Sequence, residues 1–140
     1  MGMQWADFEV GRQLEPLIKE PVDKTQLVKY AGASGDYNLI HTDDETAKKV
    51  KLPGVIVHGM LGMGFLGQLV RHYAGPDGFV SKLEVRFGKM VMPGQELKCT
   101  AKVVAKDEAK QSVDLAIALE DQAGNPYTTG NATIQYNKRG

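Results

Sequence analysis

The run VIVHGMLGMGFLGQLVRHY, Val55–Tyr73, decides the architecture. It follows the break Pro53-Gly54 and ends before Gly75-Pro76, so the chain enters and leaves it through turns. From His58 to about His72 it is apolar on nearly every face, which predicts a helix buried all round. Arg71 and His72 stand at its C-terminal end, where cations suit the helix dipole. Its mostly apolar part, Gly59 to Val70, is too short and too glycine-rich to span a bilayer. Gly62, Gly64 and Gly67 each weaken a helix interior by about 1 kcal/mol relative to alanine. Close approach of another backbone along that side is the expected compensation.

Downstream of this helix the period changes. Phe79, Leu83, Val85 and Phe87 share one parity, as do Leu97, Cys99, Ala101, Val103 and Ala105, and again Val113, Leu115, Ile117 and Leu119. Lysines and acids fill most positions between them, the pattern of antiparallel strands with one buried face. Pro93-Gly94, 106–110 and 122–125 read as the turns, and a less clearly patterned last strand covers about Tyr127–Tyr136. Upstream, a strand is expected near Gln13–Lys19. Asp23 caps a short helix that ends by Gly32, and Thr42 to Glu45 forms a capping box for another reaching about Val50. The expected whole is an α+β fold in which a curved antiparallel sheet wraps round one buried central helix. No repeat or linker divides the chain, so residues 1–140 are expected to form one domain.

With 17 basic and 17 acidic residues the formal charge is zero, which offers nothing to draw the chain to nucleic acid or an anionic membrane. Cys99 is the single cysteine; an internal disulfide and a cysteine-rich zinc site are excluded, and a reducing cytoplasm fits. The opening residues lack the basic stretch and apolar run of a signal peptide. The three histidines have no metal-ligand spacing, so neither metal nor cofactor is expected.

Chemistry concentrates in Tyr30-Ala-Gly-Ala-Ser-Gly-Asp36-Tyr-Asn38-Leu-Ile-His41. Gly32 and Gly35 allow sharp turns, and an acid, an amide and an imidazole fall within six residues of a loop between two helices. Asp36 and His41 together can divide proton removal and delivery, a service often worth ~10²–10⁴ in rate. The same residues also suit Asx turns and a helix cap. At Val57-His58-Gly59-Met60, Gly59 presents a bare N–H at the positive end of the buried helix, which suits an oxyanion; it also suits a tight helix start. His58 there reads as a satisfied buried group.

Ser34-Gly35-Asp36-Tyr37-Asn38-Leu39-Ile40-His41 resembles the hydratase-2 motif of MaoC-like (R)-specific enoyl-CoA hydratases and dehydratases. Ile56-Val57-His58-Gly59-Met60-Leu61 resembles that family's second signature, and Val85-Arg86-Phe87, Lys89 and Pro93-Gly94 its sheet segment. The resemblance implies a hot-dog fold, a homodimer, and reversible hydration of trans-2-enoyl thioesters of CoA or acyl carrier protein to (R)-3-hydroxyacyl thioesters. It implies Asp36 and His41 as the acid–base pair on the catalytic water and Gly59 N–H as the oxyanion donor. Asn38 would support the loop. Val57, His58 and Met60 would line the substrate, and Lys89 would meet CoA or carrier phosphates or be lifted to solvent by a bulge. Leu39 stands where the family usually has proline, and Gly67 about where short-chain hydratases carry serine. Both departures bear on acyl length and rate.

Two other readings compete. A hot-dog thioesterase would share fold and substrate class but relies on a differently placed carboxylate. A non-catalytic acyl-thioester-binding subunit of a hetero-dimeric dehydratase would not need the intact Asp36–His41 pair.

Overall fold

The computed structural model describes residues 2–136. In chain order the elements are β1 (Leu17–Lys19), α1 (Lys24–Ser34), α2 (Asp44–Lys49), α3 (Gly59–Ala74), β2 (Gly78–Phe87), β3 (Leu97–Asp107), β4 (Ser112–Glu120) and β5 (Pro126–Tyr136). The strands form one antiparallel sheet in the order β1-β3-β4-β5-β2, and α3 packs against β2, β3, β4 and β5. The α+β arrangement expected from the change of period is the one observed.

The core lies between α3 and the inner face of the sheet. Phe65, Leu66, Leu69, Val70 and Tyr73 of the helix meet alternate residues of the strands, among them Cys99, Val103, Leu115, Ile117 and Ile134. Each fully buried side chain of this size contributes about 1.5–3 kcal/mol over leaving it exposed. Val113, Leu115, Ile117 and Leu119 are all buried, as their alternation required.

Several expectations are corrected. The helix is not buried all round: Met60, Gly64, Gln68 and Arg71 form an exposed stripe along it. Its glycines face side chains of the sheet rather than another backbone. A Cβ on Gly62 would lie 3.0 Å from Leu119 Cδ2 and one on Gly67 3.5 Å from Leu83 Cδ2, whereas Gly64 has nothing within 4 Å. Strict alternation fails in β2 and β3 because each carries a bulge. The register shift between Val80 and Lys82 puts Val80 against the core and leaves Phe79 exposed. The shift between Val103 and Ala105 places Ala105 opposite Asp114, on the outside.

The first strand is shorter than expected. Gln13 makes only an isolated bridge to Lys102, and Pro16, which lacks an N–H for the ladder, separates it from β1. Asp23 caps α1 by accepting from the Gln26 amide at 2.7 Å, but the helix runs past Gly32 to Ser34. It stops where Gly35 takes φ 78°, a left-handed conformation open to glycine, and donates its N–H to Ala31 O. Asp43, not Thr42, is the N-cap residue of α2; its side chain makes no cap bond to the helix backbone and instead accepts from Thr46 Oγ1 at 2.6 Å.

Candidate active site

Termination of α1 at Gly35 turns the chain into a loop that is held by its own side chains. Ser34 Oγ accepts from the Asp36 amide at 3.2 Å, Asp36 Oδ1 from the Asn38 amide at 3.3 Å, and Asn38 Oδ1 from the Ile40 amide at 3.2 Å. These successive turns lead into a 3₁₀ turn at Leu39–His41 that swings His41 inward. The Asx turns expected at these residues therefore form, and they position the acid and the imidazole.

His41 is buried, and its Nδ1 lies 2.8 Å from the Ile56 carbonyl oxygen. A carbonyl only accepts, so Nδ1 carries the proton and donates it there. In the neutral ring Nε2 then keeps its lone pair free. That Nε2 stands 3.8 Å from Oδ2 of the half-exposed Asp36. The separation is too long for a good direct hydrogen bond and short enough for one water to touch both atoms. The arrangement can thus hold a water and accept its proton.

Behind this pair lies His58, the N-cap of α3, only 1% exposed. Its ring stacks on His41 with centroids 3.9 Å apart and planes 20° from parallel, while Tyr30 of α1 meets it edge-on at 4.7 Å. Nε2 of His58 lies 3.3 Å from the Asp36 carbonyl oxygen, and Nδ1 is buried without a partner among the described residues. Burial, first of all, holds the His58 pKa below its ordinary 6.5, and the neighbouring His41 adds to this. Donor atoms of Asp36, His41 and His58 all fall within 4.8 Å of one another. The two imidazoles, however, are stacked in near-parallel planes, so their in-plane lone pairs lie in separate layers instead of converging on one point, which does not suit a shared metal ion.

A cavity of about 130 Å³ opens beside His41, walled by Val57, His58, Gly59 and Lys89 and floored by Leu119 and Thr128. Gly59 is the first residue of α3, so its amide has no acceptor within the helix. Its missing side chain leaves room for Phe87, whose ring would stand 3.1 Å from a Cβ at that position. Lys89 lies beyond the end of β2 and is exposed at the cavity mouth, so it needs no bulge to reach solvent. Asp36, Asn38 and Met60 are not in the lining, and Asp36 stands outside it beside His41. Met60 sits about 100° round the helix from Gly59, which puts it on the exposed stripe at 57% exposure. The Asn38 side chain is engaged in the loop.

Four contributors escaped the sequence reading. The Ile56 carbonyl and the Tyr30 ring leave no residue-type signal for their roles. Thr128 shares the inward parity of Ala132 and Ile134 and was open to detection in β5. Phe87 shares the buried parity of Leu83 and Val85, yet it is 51% exposed at the cavity mouth.

A family model described as a MaoC like domain matches residues 7–124. The chain belongs to the MaoC-like dehydratase family. Among its relatives is the peroxisomal hydratase-dehydrogenase-epimerase of Saccharomyces cerevisiae, 40% identical over 131 residues. That match covers 92% of this chain but only 13% of the yeast protein. The (R)-specific enoyl-CoA hydratase of Aeromonas caviae is 26% identical over 134 residues, covering 95% of this MaoC-like chain and 98% of the hydratase. The unliganded R-hydratase of Pseudomonas aeruginosa superposes with a TM-score of 0.86 at 27% identity, covering 99% of this chain and 88% of that one. The fold is the hot-dog fold of these MaoC-like relatives.

Proposed function

We propose that this MaoC-like chain catalyses the reversible hydration of trans-2-enoyl thioesters to (R)-3-hydroxyacyl thioesters, with Asp36 and His41 as the acid–base pair. One observation carries the reading: the Ile56 carbonyl fixes the His41 tautomer so that a bare Nε2 faces the Asp36 carboxylate at 3.8 Å. A water held between them gives up a proton as its oxygen attacks Cβ, and a proton returns to Cα. The two groups share this work as a coupled pair. Negative charge collects on the thioester oxygen as the enolate forms, and the Gly59 amide at the positive end of α3 binds it. Thioester and enone need to reach Val57, His58 and Gly59 from the cavity mouth, where Lys89 offers a cation to CoA or carrier phosphates.

The cavity of about 130 Å³ is smaller than the ~300–1,000 Å³ of most small-molecule sites. This supports a homodimer in which a second copy extends the walls, as do the unpaired edges of β1 and β2. No helix of the described residues is long and apolar enough to cross a membrane. The single cysteine, Cys99, has no partner in the chain for a disulfide, which suits a reducing cytoplasm as the proposed setting.

The test is loss of enoyl-thioester absorbance from crotonyl-CoA, with product configuration read in parallel. Asp36→Asn and His41→Ala should each lower kcat by ~10²–10⁴. Release of free CoA instead would replace the hydratase by a thioesterase, and binding without turnover on any chain length or carrier would leave a binding subunit.

A further inference from the structure

We propose that His58 is a positioning residue for the Asp36–His41 pair: its Nε2–H ties down the Asp36 backbone while its ring face backs the His41 imidazole. The inference rests on the hydratase reading above and deepens it.

Burial alone gives no reason for an imidazole at this place. The ring is 1% exposed and its Nδ1 has no partner among the described residues, a costly arrangement that a phenyl ring would avoid. What the ring does use is specific. The Asp36 carbonyl can only accept, so the 3.3 Å contact requires the proton on Nε2 of His58. Bare Nδ1 and protonated Nε2 together define one neutral tautomer. The ring also makes two aromatic contacts, stacked on His41 and T-shaped with Tyr30.

The geometry links three things that catalysis must keep in register. Helix α3 starts at Gly59, directly after His58, so the ring is anchored to the oxyanion donor's own backbone. From there it reaches the backbone of the acid and the ring plane of the base. A displacement of about 1 Å in such a constellation can cost ~10²-fold in rate. Titratable groups facing His58 are Asp36 and His41 from the loop and Tyr30 from α1, with Lys89 across the cavity. A neutral His58 adds no charge against His41 at the moment that ring takes a proton.

Two variants separate the contributions. His58→Phe keeps an aromatic face without a donor, and His58→Gln places an amide N–H near the position of Nε2. His58→Phe should lower kcat by about 10- to 100-fold with KM within about twofold, and should shift the pH profile of kcat. His58→Gln should recover most of that loss. A folded His58→Phe with wild-type kcat and pH profile, or a His58→Gln no faster than His58→Phe, would overturn the proposal. Imidazole ¹⁵N spectra of the wild-type protein decide independently of either variant's folding. The Nε2–H tautomer of His58 is expected between pH 6 and 8, and the Nδ1–H tautomer would refute it. Should the wild type show no turnover, the reaction reading alone falls, and the tautomer still tests the contact with Asp36.

Discussion

With ring centroids 3.9 Å apart, His41 and His58 cannot both carry a proton without repelling each other, and His58 is also the more deeply buried. Its folded-state pKa is held below the ordinary 6.5 by burial. As pH falls below 6.5 the unfolded chain therefore binds a proton that the folded chain refuses. The stability His58 contributes is complete above pH 6.5 and is lost as pH drops through its folded value. Thermal unfolding between pH 7 and 5 should show a steeper fall in Tm for the wild type than for His58→Gln; parallel curves would contradict this. The carboxyls held low by hydrogen bonds, Asp43 by Thr46, Asp44 by Lys24 and Asp121 by Asn125, act from 3.8 downward and stay out of this window. Asp36 and His41 stood out in the sequence as candidates because an acid and an imidazole at that spacing suit acid–base chemistry. The Ile56 carbonyl that sets the His41 tautomer did not, since every residue has a carbonyl and only the approach of residue 56 to residue 41 singles this one out.

At the level of elements, glycine does different work at different places. Gly64 lies on the exposed stripe of α3 with nothing within 4 Å, so Gly64→Ala should raise stability by about 1 kcal/mol through helix propensity. Gly62→Ala gains the same propensity but must displace the buried end of Leu119, 3.0 Å away, and should fall short of it. Denaturant midpoints of the two variants check the ranking. A clear loss at Gly64 would mean that another copy packs there. Gly130 is the opposite case. It sits in β5 between Val85 and Ile117, and a Cβ would overlap the Glu84 carbonyl oxygen of β2. No rotamer relieves a clash with backbone, so Gly130→Ala should cost upwards of about 3 kcal/mol or abolish soluble expression. Strands β2, β3 and β4 were legible from their alternation, except where a bulge reversed it after Val80 and after Val103; β5, with a register shift opposite Leu119 and Glu120 that buries both Tyr127 and Thr128, was less clearly patterned. A bulge is one extra residue accommodated by the partner strand, and that accommodation has no signature in the bulged strand alone.

For the whole molecule, the proposed homodimer predicts a sedimenting species of twice 15.3 kDa at micromolar concentration. A species of 15.3 kDa with full turnover would show that the small cavity suffices without a second copy. The sequence by itself determined the fold class, because a buried helix and period-two strands each state which surface must leave water, and one sheet round one helix satisfies both. It also named Asp36, His41 and the Gly59 amide as candidates for the proposed acid–base pair and oxyanion donor. Only the tertiary structure decided how they meet. It set a water-sized gap between Asp36 and His41, placed His58 behind them, brought Phe87 and Thr128 to the cavity, and left Met60 outside it. Those relations depend on distances across elements far apart in the chain, and hydrophobic pattern fixes which face is buried without fixing what it will touch.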